Sequence, residues 1–296
     1  VIVVTGGAGF IGKVLIERLK LKTKEKILCV DFRPHPYVKN MHPQAFLQKM
    51  MDLDFAKSIS IVFHNGACSD TTNTDIHYVM ANNFDYSTVL LRRCMDSGTR
   101  IIYASSASVY GFSQHSHQNE ADDLQPRNIY AKSKALFDDY ACMFMDYHSQ
   151  IVGLRYFNVY GRHESHKGNM ASVMYKFFQQ KEGGRIHLFE KSEFYKRDFI
   201  HVDDIVDINF FFWKNPELSG VFNAGTGHPR SFHEIGQIFS KRYDTEINYI
   251  PMPKKLEQQY QEYTCADTVL LTSKYNKNFL SLEDGVSRYL RHLEAA

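Results

Sequence analysis

Tyr130 and Lys134 stand four residues apart, and of the eighteen tyrosines only Tyr130 has a lysine at that spacing. On a helix this puts both side chains on one face. An ammonium so placed can lower the phenol from its usual value of about 10 and also reach a ribose hydroxyl. Upstream, the apolar run Ile101–Ala104 ends in Ser105-Ser106. Hydroxyls at the carboxyl end of a strand lie where open parallel sheets bind their ligands. A tyrosine acid/base, a lysine and a serine together suit hydride transfer between an alcohol and a ketone.

The residues Thr5-Gly6-Gly7-Ala8-Gly9-Phe10-Ile11-Gly12 sit between a first apolar run and a helical stretch. Gly6, Gly9 and Gly12 allow a tight turn, close backbone approach to a pyrophosphate and close helix–sheet packing. The helix that follows offers unpaired N–H groups and a partial positive charge to phosphates. Asp31 ends the next apolar run, where a carboxylate can hold the adenosine ribose. Asp31 alone favours NAD, because it repels a 2′-phosphate. Arg33 can bind that phosphate while Phe32 stacks on adenine, which favours NADP. The two signals oppose each other; the balance leans to NADP, with NAD as the alternative.

These groups need a frame. Val1–Val4, Ile27–Val30, Ile61–His64, Ile101–Ala104 and Ile151–Arg155 read as strands buried on both faces, with helical stretches such as Gly12–Leu21 and Ala131–Met145 between them. Repeated strand–helix order predicts an α/β protein with a doubly wound parallel (Rossmann) sheet. Met170, Val173, Met174, Phe177 and Phe178 follow a helical apolar spacing and predict core. Phe199–Val202 and Val221–Ala224 read as returns to the sheet, and the rest forms a smaller α/β substrate lobe. The expected division is 1–161 with 198–226 for the nucleotide domain, and 162–197 with 227–296 for the lobe.

Composition narrows the class. The chain has 296 residues, 44% of them apolar, and 35 basic against 33 acidic side chains. That excludes intrinsic disorder and argues against a dedicated nucleic-acid binder. No apolar run approaches the roughly 20 residues of a membrane span. The five cysteines are widely spaced without a Cys-x-x-Cys pair, and the chain opens with no targeting pattern, so a cytoplasmic protein is expected. His163-x-x-His166 and His115-x-His117 lack a third ligand at a usable spacing, so no metal site is expected.

The glycine turn, Tyr103-Ala104-Ser105-Ser106-Ala107 and Tyr-x-x-x-Lys resemble the extended short-chain dehydrogenase/reductases that act on nucleotide sugars. Within them, His64–Thr72, Gly153–Gly161, His166–Ser172, Lys196–Phe199 and Tyr249–Pro253 are similar to the ADP-L-glycero-D-manno-heptose 6-epimerase family, over nearly the whole chain. The resemblance implies an isomerase that inverts carbon 6 of the heptose in ADP-D-glycero-D-manno-heptose, supplying heptose for the lipopolysaccharide inner core. It implies a tightly bound NADP that takes and returns one hydride, and a homo-oligomer. Tyr130 and Lys167 match the two acid/bases, Ser106 would hydrogen-bond the reacting oxygen, and Lys134 would hold the ribose.

Other positions carry over singly. Phe10, Ile11, Asn65, Gly66, Ala67, Cys68, Ser69, Asn82, Val159 and Lys167 would line the cofactor. Asn158, Asn169, Lys176, Phe189, Glu190, Lys191, Ser192, Arg197 and Tyr260 match positions that face the ADP-sugar, with Arg197 on the diphosphate. The chain departs from the family pattern at Asn65, Arg162, Asn169, Lys176 and Lys191. Two alternatives stay open: a related nucleotide-sugar enzyme such as a UDP-sugar 4-epimerase, and an NADP-sensing protein without turnover.

Overall fold

The structure, a computed structural model, describes residues 1–112, 117–254 and 261–295. The apolar runs form the centre of a seven-stranded sheet. Its strands are β1 (Ile2–Thr5), β2 (Ile27–Val30), β3 (Lys39–Met41), β4 (Ile61–His64), β5 (Arg100–Ser106), β6 (Ile151–Tyr156) and, later in the chain, Gly220–Ala224. The order is β3-β2-β1-β4-β5-β6 and then Gly220–Ala224, with every pair parallel. β1 to β3 run outward in one direction and β4 to β6 in the other. The carboxyl ends of β1 and β4 therefore flank the crevice where such sheets bind ligands.

Both faces are covered, which is why the central strands carry nearly continuous apolar runs, with polar residues such as Thr5, His64 and Ser105-Ser106 at their carboxyl ends. Helix α1 (Phe10–Lys22) packs on one face, where Val14, Leu15, Ile16 and Leu19 join Ile2, Val4, Ile61 and Phe63. Ile205, Val206, Ile208 and Phe212 of the helix Val202–Lys214 enter the same cluster. The other face is covered by α2 (Pro43–Lys49), α3 (Leu53–Lys57), the 76–97 helix and the helix Ile129–Cys142. The 76–97 helix contains α4 (Ile76–Met80), a π-helical turn at Ala81–Asp85 and α5 (Tyr86–Ser97). The Ile129–Cys142 helix, α6, carries both Tyr130 and Lys134.

The second core lies beyond β6. Strand β7 (Asn158–Tyr160) pairs parallel with β9 (Lys196–His201), and the strand Pro229–Ser231 adds to β9 antiparallel. β8 (Arg185–Phe189) pairs with Glu246–Ile250 in a separate ribbon. Against these pack α7 (Val173–Gln180), α8 (the Val202–Lys214 helix) in part, α9 (Phe232–Tyr243) and, beyond α10 (Val269–Thr272), which packs on the main-sheet strand Gly220–Ala224, α11 (Leu282–Glu294). Met174, Phe177, Ile235, Phe239, Val286 and Tyr289 are the lobe's core, whereas Leu271 and Tyr275 join the core of the main sheet.

Two expectations change here. Val221–Ala224 does return to the main sheet, but Phe199–Val202 does not: Phe199 to His201 lie in the three-stranded sheet, and Val202 begins α8. Periodicity reports burial, not which sheet a strand joins. Met170 likewise leaves the helical stripe, because α7 starts only at Val173 and Met170 closes a 3₁₀ turn in the cleft wall. No helix among the described residues is long and apolar enough to cross a membrane.

Candidate active site

The glycine turn is shaped by backbone contacts. A Cβ on Gly12 would lie 2.1 Å from the Gly6 carbonyl oxygen, and one on Gly6, whose φ is +64°, would lie 2.7 Å from the Gly66 nitrogen. The turns after β1 and β4 thus touch main chain to main chain, which excludes side chains there. The Gly66 N–H donates to Thr5 Oγ1 at 3.0 Å and locks the pair. Gly9 precedes α1 with no side-chain cap, and Phe10 and Ile11 line the cleft. An uncapped helix start facing a cavity fits a pyrophosphate. Asp31 accepts the Ala8 and Arg33 N–H groups, each at 3.0 Å, so it also ties the next loop to the turn.

Tyr130 and Lys134 ride on α6, which Asn128 starts by accepting the Ala131 N–H at 2.7 Å. Lys134 Nζ donates to the Ala104 carbonyl at 2.8 Å. Burial pulls the Lys134 ammonium down to about 8, against the opposing pull of Asp138. Burial pushes the Tyr130 phenol up, and a hydrogen bond with Ser106 draws it partly back. The phenol is therefore raised, not lowered as the Tyr–Lys spacing suggests. The lysine's charge is turned toward the Ala104 carbonyl, so proximity on one helix face does not translate into a lowered phenol.

Beneath these residues lies a continuous polar layer. Asp138 accepts from Ser105 Oγ and from Arg155 Nε, both at 2.9 Å, and Arg155 Nη1 donates to the Tyr110 hydroxyl at 2.9 Å. Asp138 and Arg155 are both buried. A second chain starts at Thr5 Oγ1, which meets His64 Nδ1 at 2.6 Å, while His64 Nε2 meets Ser87 Oγ at 2.8 Å. Ser87 donates to the Asn83 carbonyl at 2.6 Å, and Asn83 Nδ2 donates to Ser133 Oγ at 3.0 Å. Ser133 then donates to the Tyr130 carbonyl at 2.7 Å. Burial holds His64 down at about 3, so the imidazole is neutral and can donate on one side and accept on the other. Asn83 belongs to the π-helical turn, a feature often found at functional sites.

Lys167 reaches the cleft from a different kind of element. It sits in the 3₁₀ turn Ser165–Met170, with Nζ 5.4 Å from the centre of the Phe10 ring. Burial lowers the Lys167 ammonium and Lys176 adds to this, while Glu164 opposes it. Lys176, on α7, is also lowered by burial and raised by Glu164.

These residues share one cleft of about 1270 Å³. Gly6, Gly9 to Gly12, Asp31 to Arg33, Asn65 to Ser69, Asn82, Ser106, Tyr130, Lys134, Val159 and Lys167 line it, as do Asn158, Asn169, Lys176, Phe189, Ser192 and Arg197. Glu190 and Lys191 do not: both are exposed in the turn after β8, where Lys191 has φ +64°. Tyr260 lies outside the described residues. The cleft adds members that the motifs did not signal, among them Ser108, which donates to Ser106 Oγ at 2.9 Å, and Thr264. Buried Glu164 was also unmarked, although a carboxylate shortly before Lys167 is visible in the sequence.

The model of the NAD dependent epimerase/dehydratase family matches residues 2–225. ADP-L-glycero-D-manno-heptose-6-epimerase of Brachyspira hyodysenteriae is 43% identical over 310 residues, spanning 99% of this chain and 98% of that protein. The crystal structure of the Helicobacter pylori ADP-L-glycero-D-manno-heptose-6-epimerase superposes with a TM-score of 0.85 at 30% identity, over 100% of this chain and 96% of that one. The Thermus thermophilus UDP-glucose 4-epimerase complex with NAD has a TM-score of 0.82 at 21% identity, over 100% and 99% of the two chains, a likeness of fold.

Proposed function

We infer the reaction from one premise: this chain belongs to the NAD dependent epimerase/dehydratase family. Its reaction is epimerisation at carbon 6 of ADP-D-glycero-D-manno-heptose to the L-glycero form, the activity that the names of its 43% and 30% identical relatives carry. The observation that supports a two-base mechanism is that Tyr130 and Lys167 line the same cleft from separate elements. A ketone that is formed and then reduced on its other face needs a proton acceptor and donor in each orientation.

The bound nicotinamide dinucleotide supplies the hydride acceptor and donor. In our reading the glycine turn and the α1 start hold its pyrophosphate, Asp31 to Arg33 its adenosine ribose, and Lys134 the nicotinamide ribose. Ser106 hydrogen-bonds the reacting oxygen beside Tyr130, and Lys167 moves the proton when the sugar presents its other face. Arg197 and Lys176 take the substrate diphosphate, with Asn158, Asn169, Phe189 and Ser192 around the nucleotide sugar. Residues 1–161 with 198–226 form the cofactor domain, and 162–197 with 227–296 the sugar lobe. Arg33 beside Asp31 favours NADP over NAD. Five unpaired thiols suit a cytoplasmic enzyme, and the family relation suits a homo-oligomer.

Incubating the holoenzyme with ADP-D-glycero-D-manno-heptose and following the heptose signals by NMR tests the reaction. The L-glycero epimer should accumulate to equilibrium. Conversion of a UDP-hexose with no change in the ADP-heptose would refute the reading, and binding of both without turnover would point to a sensor. The mass of the copurifying nucleotide decides between NADP and NAD.

A further inference from the structure

We propose that Glu164 is the positioning residue for Lys167, its carboxylate tying together the two ends of the loop that presents the lysine. This rests on the reading of Lys167 as the second acid/base. Glu164 is fully buried, whereas its neighbours Arg162 and His163 pair with Glu17 and Asp203 and Lys167 lines the cleft. Its Oε1 accepts the Gly161 N–H at 3.3 Å and the Ser172 hydroxyl at 2.7 Å, and its Oε2 accepts the Ser172 N–H at 2.6 Å. One side chain therefore joins the end of β7 to the start of α7, with Lys167 on the arc between them. Every one of these partners is a donor, which suits an acceptor-only carboxylate and not an amide.

The start of the arc is also tied outward, Arg162 to Glu17 and Asp203 and His163 to Glu17, whereas its tip is open. Gly168, at its tip, has φ +52° and nothing within 4 Å of where a Cβ would be. The Lys167 N–H donates to the Glu164 carbonyl at 2.9 Å, so the same residue also sets the first turn of the arc. Ser172 accepts the Tyr175 N–H at 3.4 Å as the cap of α7, and so transmits the tie to the helix that carries Lys176. From α11, Tyr289 packs beside the carboxylate; burial, with the Glu164 charge behind it, pushes that phenol up. The groups that act on Lys167 are thus Glu164 from its own loop, Lys176 from α7 and the Phe10 ring from α1, with His166 as its neighbour. Glu164 is the acidic one, and it favours the charged form of both lysines.

A double-mutant cycle on the cofactor-loaded enzyme separates positioning from simple support of the fold. Glu164→Gln should lower kcat by about 10- to 100-fold, the scale of a misplaced catalytic group. In the Lys167→Met background the same change should cost less than about twofold, because its effect passes through the lysine. The limb of the kcat–pH profile that Lys167→Met removes should also move to lower pH in Glu164→Gln, since the charge that favours the ammonium is gone. Equal losses in both backgrounds, or an unmoved limb, would overturn the proposal while leaving the two-base reading intact. Full activity in Lys167→Met would instead remove the two-base reading and this inference with it. If Glu164→Gln does not fold, Ser172→Ala serves in its place. It deletes one donor to the carboxylate and should show a loss of about two- to fivefold that again vanishes in Lys167→Met.

Discussion

The Tyr130 part of the cleft and the Lys167 part are built in different ways. Tyr130 stands on a fourteen-residue helix packed on the sheet, above two buried polar chains that run through Asp138 and Arg155 and through His64 and Asn83. Lys167 stands on a short turn outside both cores, and one buried carboxylate gathers that turn's ends. The first arrangement is redundant in its hydrogen bonds but carries ionised groups that must remain paired. The second joins its two ends through one buried side chain, with Arg162 and His163 anchoring only its first residues to Glu17 and Asp203.

Ways to break this contrast run from large effects to small. Asp138→Ala leaves the Arg155 guanidinium buried without its partner, and should cost about 3–5 kcal/mol in urea unfolding. A loss below about 1 kcal/mol would mean the polar layer under Tyr130 is not the support described. Tyr130→Phe and Lys167→Met should each slow turnover by at least about 100-fold, ~2.7 kcal/mol in the barrier, with the cofactor still copurifying. Retention of full rate by either variant would leave only one acid/base in the cleft.

Acid should weaken both parts through neutral buried histidines. His64 is held at about 3 and His201, the last residue of β9, at about 4, burial being the first cause in each. Unfolded, both titrate near 6.5, so between that pH and the folded value the unfolded state binds more protons. Stability then rises with pH across this window and is lost as pH falls through it. His64→Gln should flatten the acid limb by about 3 kcal/mol at pH 4, read from unfolding midpoints. An unchanged limb would place the acid sensitivity elsewhere. The smallest effect is expected at Gly168→Ala, where only the positive φ resists the new methyl, at about 1 kcal/mol. Gly12→Ala, with no such room, should abolish cofactor retention; equal tolerance at both positions would erase the contrast between the two turns.

Much of the frame was legible before the structure. Continuous apolar runs of four or five residues alternating with helical stretches read as doubly covered parallel strands, and all five expected runs are interior strands of the main sheet. The glycine turn was legible because its reason is steric and local. An apolar strand looks the same in any sheet, so the sequence alone does not tell that Phe199–His201 belongs to the three-stranded sheet. Glu164 is not legible in the sequence because a carboxylate's role depends on which donors surround it, and its donors at Gly161 and Ser172 are brought together only when β7 and α7 fold.

The sequence by itself determined the sheet, the glycine turn, the Tyr130–Lys134 face and the family, because each depends on spacing within a few residues or on a repeated apolar pattern. Tertiary structure alone decided which charges are opposed and which are left to burial. It raised the Tyr130 phenol despite Lys134, kept His64 neutral, and set Glu164 between two lysines. The reason is that a proton's affinity depends on burial and on neighbours in space, which the order of residues along the chain does not record.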